Sequence, residues 1–156
     1  MKAQLIMVGK TADKAFAAAV DDYAGRIAHY MPFSVSIVPA LKNAGSLTME
    51  RQKEEEGRLI LERAKGADCL VLLDERGEEM TSVELAGWIG RKAHSVRHMA
   101  FAIGGPYGFS PAVYAAAHAK LSLSRLTMSH QMVRLFFAEQ LYRACTIIRG
   151  EAYHHA

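Results

Sequence analysis

A glycine-rich stretch at positions 103–111 is the first part of this sequence whose residues could do chemistry. It reads IGGPYGFSP, and its glycines and first proline let the backbone approach a ligand closely. Ser110 suits the N-cap of a following helix, and Pro111 suits its first position. The glycine spacing matches neither the GxGxxG fingerprint nor a P-loop. The stretch therefore predicts one of two things: a ligand held by backbone amides, or an ordinary tight turn.

A second candidate is the stretch at 121–130, LSLSRLTMSH, in which small hydroxyls are mixed with aliphatic side chains. Such a segment can offer backbone hydrogen bonds to the edge of an adenine and an apolar seat for its ring. A polar loop between a strand and a helix has a similar composition, and the residues alone favour that alternative.

The C-terminal part adds charged and aromatic candidates. Glu139 and Arg143 stand four residues apart in a helical pattern, which indicates a helix ion pair and leaves a catalytic role as the alternative. Arg134 is either a surface charge or a contact to an RNA phosphate. The tail at 149–156 reads RGEAYHHA, and its tyrosine and histidines could bond to or stack on a base, although chain ends usually fray.

Histidine and cysteine spacing predicts no metal site. The sequence has no HExxH pattern, and Cys69 and Cys145 lack a CxxC partner. Both thiols are expected to be reduced and buried in a cytoplasmic protein. Neither a signal peptide nor a membrane span is predicted. The net charge of +3 permits an RNA partner without requiring one, because the basic residues are scattered.

Alternating strands and helices must position these candidates. With 156 residues, of which 51% are hydrophobic, the chain suits a single domain covering 1–156. Apolar runs and helical periodicity predict strands at 4–8, 33–38, 69–73, 98–103 and 121–123, and helices at 13–30, 46–65, 82–94, 111–119 and 131–148. A turn on Gly77 is expected at 75–79. This order predicts an α/β fold with a mostly parallel sheet flanked by helices, in which ligands bind beyond the carboxyl ends of strands.

The last predicted helix, at 131–148, is apolar on most of its faces. A helix of this kind is buried on two sides. In so small a domain, the second side is expected to pack against another subunit.

Six segments in register resemble the bacterial large-subunit rRNA pseudouridine-N3 methyltransferases of the RlmH type, which belong to the SPOUT class. They are the opening MKAQLIMVGK, the run VLLDERG, the turn IGGPYGFSP, the segment LSLSRLTMSHQMVR, the helix EQLYRA and the ending YHH. The resemblance covers essentially the whole chain, and the length and order of the segments also match.

The resemblance implies a fold, a cofactor and a target. The fold would be a SPOUT-type α/β sheet whose C-terminal part threads a trefoil knot, in a homodimer that needs neither metal nor membrane. The cofactor would be S-adenosyl-L-methionine, and the target N3 of a pseudouridine in helix 69 of 23S rRNA in the assembled ribosome. Carried over by position, the cofactor contacts fall on Leu73, Gly104, Gly105, Leu123, Ser124, Arg125, Leu126, Thr127 and Met128.

The resemblance also implies that the tail closes over the acceptor base. His154 is expected to act as the general base or to position it, because N3 must lose a proton before it attacks. Tyr153 would stack on the base or orient it. Arg143 and Arg134 would hold phosphates, and Glu139 would orient one of these arginines.

Two positions depart from the family pattern. Ser129 stands where members often have proline, and it is expected to loosen the start of the last helix slightly. His155 stands where members often have arginine or lysine. It is expected to hold an RNA phosphate less firmly, because histidine is charged only part of the time near neutral pH.

Other functions stay open at this point. One alternative is a SPOUT-class enzyme that acts on another RNA such as tRNA, and another is a cofactor- or ribosome-binding module without catalysis. A Rossmann-type NAD protein is disfavoured, because no GxGxxG follows the first predicted strand.

Overall fold

The described residues, 1–155, form five parallel strands that alternate with five α-helices in this computed structural model. The elements are β1 Lys2–Val8, α1 Lys14–Ile27, β2 Phe33–Val38, α2 Met49–Arg63, β3 Cys69–Glu79, α3 Ser82–Lys92, β4 His98–Ile103, α4 Pro111–Ala116, β5 Ala119–Ser122 and α5 His130–Ile148. A 3-10 turn, Ala44–Ser46, precedes α2. The strand order is β2-β1-β4-β3-β5, with parallel pairing throughout. The predicted parallel α/β fold is confirmed.

Helices cover both faces of the sheet, as a parallel sheet with apolar side chains on both faces requires. Along β1, Leu5 points to the face covered by α1, α3 and α5, where it shares a core with Phe137. Its neighbour Ile6 points to the opposite face and packs with Ile60 of α2 and Val113 of α4. The alternation of side chains along each strand therefore builds two cores in a three-layer domain.

The apolar surface of α5 is largely covered within one chain. Phe137 and Leu141 are buried in the first core, and the helix packs against both α1 and α3. Ile148, which is 50% exposed, and Met132 are the large apolar side chains of α5 that remain exposed. The two-sided burial predicted for this helix is thus met mainly by α1 and α3, with a smaller apolar remainder for a second subunit.

The predicted turn on Gly77 is wrong, because β3 continues through it to Glu79. Both Leu73 and Glu78 align with Leu121 of β5, so the residues between them form a bulge. A Cβ at Gly77 would lie 2.6 Å from the carbonyl carbon of Lys120 and 2.7 Å from the nitrogen of Leu121. Glycine is required here because two backbones touch.

The start of α5 is capped by Ser129. The Ser129 hydroxyl accepts a hydrogen bond from the Met132 N–H at 3.2 Å, which satisfies one of the free donors of the first turn. The slight loosening expected relative to proline at this position stays a prediction.

Candidate functional site

The carboxyl ends of β3, β4 and β5 lie side by side and open into one large cavity. Leu73 is paired with Ile103 of β4 and with Leu121 of β5, so the loops that follow these strands start from the same edge. The cavity has a volume of about 830 Å³, within the range typical of small-molecule sites. This edge of an α/β sheet is where ligands are expected.

Most of the predicted cofactor contacts line this cavity. They are Leu73, Gly104, Gly105, Leu123, Ser124, Leu126, Thr127 and Met128. Arg125 points elsewhere: its side chain is 81% exposed, and its Nε lies 3.1 Å from Oε1 of Glu79. Folding therefore joins the glycine turn and the serine-leucine loop (residues 123–128) into one wall, without the side chain of Arg125.

The glycine turn folds back on itself tightly, with little room for a side chain at Gly104. The Gly108 N–H donates to the carbonyl oxygen of Gly105 at 3.1 Å, and Gly108 has a φ of 83°, in the left-handed region that favours glycine. A Cβ at Gly104 would lie 3.2 Å from the backbone carbonyl of Gly108. As predicted, Ser110 caps α4 by accepting from the Val113 N–H at 3.3 Å.

The serine-leucine loop closes the cavity from the β5 side. The Leu126 N–H donates to Ser124 Oγ at 3.0 Å, a local turn that leaves the Leu126 side chain 78% exposed. Met128 and Val133 complete this side of the wall. The loop presents backbone groups and aliphatic surface together, which suits a flat heteroaromatic ring with polar edges.

The rim carries residues that sequence reasoning missed. These are Lys53, Arg76, Tyr114 and Lys120. The Tyr114 hydroxyl donates to Asp74 Oδ2 at 2.5 Å, and burial together with this bond raises the pKa of Tyr114 to about 12. Arg76 follows the end of the predicted strand 69–73, which could have singled it out, although β3 continues past it. Lys53 and Lys120 come from separate elements, and no local pattern marks them.

The predicted catalytic residues meet in a second cluster, formed by α5 and the tail. Arg143 Nη2 lies 2.6 Å from Glu139 Oε1, and the Tyr153 hydroxyl donates to the same oxygen at 3.0 Å. Arg143 Nη1 lies 3.1 Å from His154 Nδ1, and the guanidinium sits 4.8 Å from the centre of the Tyr153 ring. The helix ion pair and the aromatic tail thus form one network, and the tail packs on α5 up to His154.

Electrostatics keep Tyr153 protonated in this cluster. Burial, aided by hydrogen bonds with Tyr23 and Glu139, raises the pKa of the Tyr153 hydroxyl well above its usual range. The phenol is therefore a hydrogen-bond donor at every physiological pH.

The cavity and the tail cluster do not meet within one chain. His130 lines the cavity at the start of α5. Glu139 and Arg143 follow it nine and thirteen residues later on the same helix. At a rise of 1.5 Å per residue, they lie roughly 14 and 20 Å further along the axis.

Arg134 corrects a prediction. It is 2% exposed, and its guanidinium donates to the Val8 carbonyl at 2.7 Å and to Thr11 Oγ1 at 2.9 Å. The side chain ties α5 to the end of β1 and does not face solvent as an RNA contact would. His155, by contrast, is exposed.

Three further observations concern metals, membranes and the cysteines. Nowhere in residues 1–155 do three His, Cys, Asp or Glu side chains converge as metal ligands. Over the same residues, every helix is too short or too polar to cross a bilayer. Cys69 and Cys145 are free and buried.

Comparison with known proteins defines the class of this chain. A family model described as "Predicted SPOUT methyltransferase" matches residues 1–154. The chain belongs to the SPOUT methyltransferase family, which confirms the resemblance inferred from its segments.

Individual relatives show a more specific similarity within this family. The chain is similar to the ribosomal RNA large subunit methyltransferase H of Phocaeicola vulgatus, with 52% identity, and to that of Porphyromonas gingivalis, with 50% identity; each match covers 99% of both proteins. The structure of a probable methylase family protein from Haemophilus influenzae Rd KW20 superposes with a TM-score of 0.54 at 10% identity. That match covers 99% of this chain and 70% of the other, and it supports the fold alone.

Proposed function

We propose that this protein uses S-adenosyl-L-methionine to methylate N3 of a pseudouridine in helix 69 of 23S rRNA, on assembled ribosomes in the cytoplasm. The observation that carries the proposal is the cavity where the glycine turn and the serine-leucine loop converge. Relatives that share about half of the residues are named ribosomal RNA large subunit methyltransferase H.

The cavity residues fit this cofactor. Gly104 and Gly105 line the cavity with backbone and carry no side chain, so a ligand can approach the main chain of the glycine turn. Leu73, Leu123 and Met128 offer apolar surface for an adenine, and the backbone of the serine-leucine loop offers polar groups for its edge. When bound, the cofactor supplies an electrophilic methyl group on a sulfonium. We further propose that the C-terminal part of the chain is knotted around this pocket.

His154 positions the acceptor nucleobase, and the N3 proton passes to a water molecule. An arginine nitrogen can only donate a hydrogen bond, so Nδ1 of His154 accepts from Arg143. The proton of the neutral ring is then on Nε2, which becomes a donor. A donor of this kind stabilises the anion that forms on the carbonyl oxygens of pseudouridine when N3 loses its proton.

Tyr153 and Glu139 hold this arrangement. Glu139 Oε1 accepts from both Tyr153 and Arg143, so one carboxylate orients the aromatic ring and the cation behind His154. The methyl transfer itself is an in-line displacement, whose rate depends mainly on how well the reacting atoms are positioned.

A second copy of the chain completes the site. The tail cluster of one chain lies too far along α5 to face its own cavity. The exposed Leu126 beside the cavity and the exposed Met132 on α5 offer apolar surface for the partner. We propose a homodimer in which each tail closes over the cavity of the other subunit.

The central test supplies the protein with its substrate. Ribosomes from a strain that lacks this gene are incubated with methyl-labelled S-adenosyl-L-methionine and the protein, and the labelled nucleosides are mapped by mass spectrometry. The expected product is 3-methylpseudouridine in helix 69. Label in tRNA alone, or no label despite ribosome binding, would overturn the assignment in favour of another RNA or a non-catalytic module.

The dimer is tested by complementation. In a Gly104→Val chain the added side chain would press on the backbone of Gly108 and distort the glycine turn that lines the cavity, and a His154→Ala chain has an incomplete tail. Equal mixing and re-equilibration should yield heterodimers with one intact site each, and about a quarter of the wild-type activity. No recovery in a mixture that demonstrably exchanges subunits would refute the shared site.

A further inference from the structure

Glu56 of α2 is a buried carboxyl directly behind the glycine turn. Its side chain is 3% exposed. Oε2 accepts from Gln52 Nε2 at 3.2 Å, whereas Oε1 has no hydrogen-bond partner. A Cβ at Gly105 would collide with this carboxyl group, so the carboxyl touches the backbone of a residue that lines the cavity.

The position of Glu56 on its helix connects it to the cavity as well. Met49 and Lys53 line the cavity from α2, and Glu56 is three residues beyond Lys53, so it lies on the same face one turn further in. A carboxyl that is buried with half of its hydrogen-bonding capacity unused is costly when ionised. Such a group calls for an explanation beyond packing.

The groups that face Glu56 set its ionisation. Gln52 lies on its own helix and His130 at the start of α5. From the glycine turn, the titratable side chain is Tyr107, which is exposed at the rim. Ser110, the N-cap of α4, lies beside the neighbouring Gly57 and does not titrate. Burial raises the pKa of Glu56 above its usual range, and the Gln52 hydrogen bond and the charge of His130 oppose that rise.

We propose that Glu56 is a positioning residue that couples cofactor binding to the release of a proton. A positively charged cofactor in the cavity favours the ionised carboxylate, the carboxyl proton passes to solvent, and the resulting charge steadies the glycine turn against the ligand. This inference rests on the proposed function, because it requires S-adenosyl-L-methionine in this cavity.

Comparing a charged ligand with a neutral one distinguishes this electrostatic role of Glu56 from a role in packing alone. A unit positive charge within about 10 Å of a carboxyl, at an effective dielectric constant of about 20, shifts its protonation equilibrium roughly tenfold. S-adenosyl-L-methionine carries a sulfonium cation, and S-adenosylhomocysteine carries a neutral thioether in its place. The sulfonium also lowers the pKa of the ligand's own ammonium group, so the part of the difference that depends on Glu56 is the part that Glu56→Gln removes.

Titration calorimetry tests the proposal directly. The full-length protein is titrated with each ligand at neutral pH in phosphate and in Tris, whose different heats of ionisation reveal the protons exchanged. Wild type should release a measurable fraction of a proton with S-adenosyl-L-methionine and less with S-adenosylhomocysteine. Glu56→Gln should reduce this difference and lower the preference for the sulfonium ligand about tenfold. The exposed Glu54→Gln, on the same helix, should behave as wild type.

Each other outcome has a defined meaning. No proton release by wild type, or the same release by Glu56→Gln, overturns the inference and leaves Glu56 as a structural carboxyl. No binding of either ligand by wild type overturns the proposed function instead. If Glu56→Gln fails to fold, the affinity of wild type for the sulfonium ligand, relative to the thioether, must still rise with pH; a flat ratio refutes the coupling.

Discussion

Gly77→Ala is a sensitive test of how the bulge in β3 shapes the cavity. The added methyl would lie 2.6 to 2.8 Å from three backbone atoms of Lys120 and Leu121. These atoms belong to a strand and cannot rotate away as a side chain would. We therefore expect β3 and β5 to separate locally, and the serine-leucine loop that follows β5 to move with them.

The size of the effect follows from the clash. Overpacking of this kind typically costs about 1–3 kcal/mol of unfolding free energy. For a chain of this length, each kcal/mol lowers Tm by roughly 2–4 °C. Since the displaced strand leads directly into the cavity wall, we also expect the affinity for S-adenosyl-L-methionine to fall by about tenfold or more, which is 1.4 kcal/mol or more of binding free energy.

Urea unfolding and calorimetric titration of the same preparations measure the two effects. Gly25→Ala is the matched control, because nothing lies within 4 Å of a Cβ there and alanine favours the surrounding helix by up to about 1 kcal/mol. A Gly77→Ala protein with wild-type stability and wild-type cofactor affinity would contradict the reasoning about the bulge.

Three further predictions address other parts of the chain. Arg134→Met should lower the unfolding free energy by about 1–3 kcal/mol, because the Val8 carbonyl loses its charged donor; a weaker salt dependence of ribosome binding, with stability intact, would instead restore its role as an RNA contact. Ser129→Ala should cost about 1 kcal/mol in urea unfolding through loss of the α5 cap, and no change would mean that the cap is not formed. The pKa of Glu56 is raised in the folded protein, so the folded state favours the protonated carboxyl. This carboxyl therefore adds its full stabilisation below the ordinary glutamate pKa of about 4.3, and the stabilisation is lost as the pH rises through the raised value. The free energy of unfolding, measured as a function of pH over this range, should fall in wild type and not in Glu56→Gln. Equal pH slopes for the two proteins would refute this prediction.

Local chemistry was sufficient for several elements. The strands Phe33–Val38 and His98–Ile103 have the bounds predicted from their residues. The first alternates apolar residues with serines between two prolines, and the second is an apolar run that ends at two glycines. The cap at Ser110 followed from the same kind of short-range rule. The glycine turn could be recognised because a close backbone approach requires several glycines within a few consecutive residues.

Other features depend on partners that are distant in the chain. The bulge at Gly77 exists because β5 passes against it, and Arg134 is buried because the end of β1 supplies its acceptors. Glu56 looks like one more charge on a charged helix until the glycine turn packs over it. Rules based on residue spacing cannot predict these contacts, because each contact joins residues that are separated by more than 40 positions.

The cavity itself shows the same division. The sequence segments 104–108 and 123–128 were recognisable by type, but their meeting point, with Lys53 and Lys120 at the rim, arises from the strand order β4-β3-β5. The tail cluster is separate from the cavity because the two lie at different positions along α5. Periodicity and turn chemistry act between near neighbours, whereas strand order and burial are set by the packing of the whole chain.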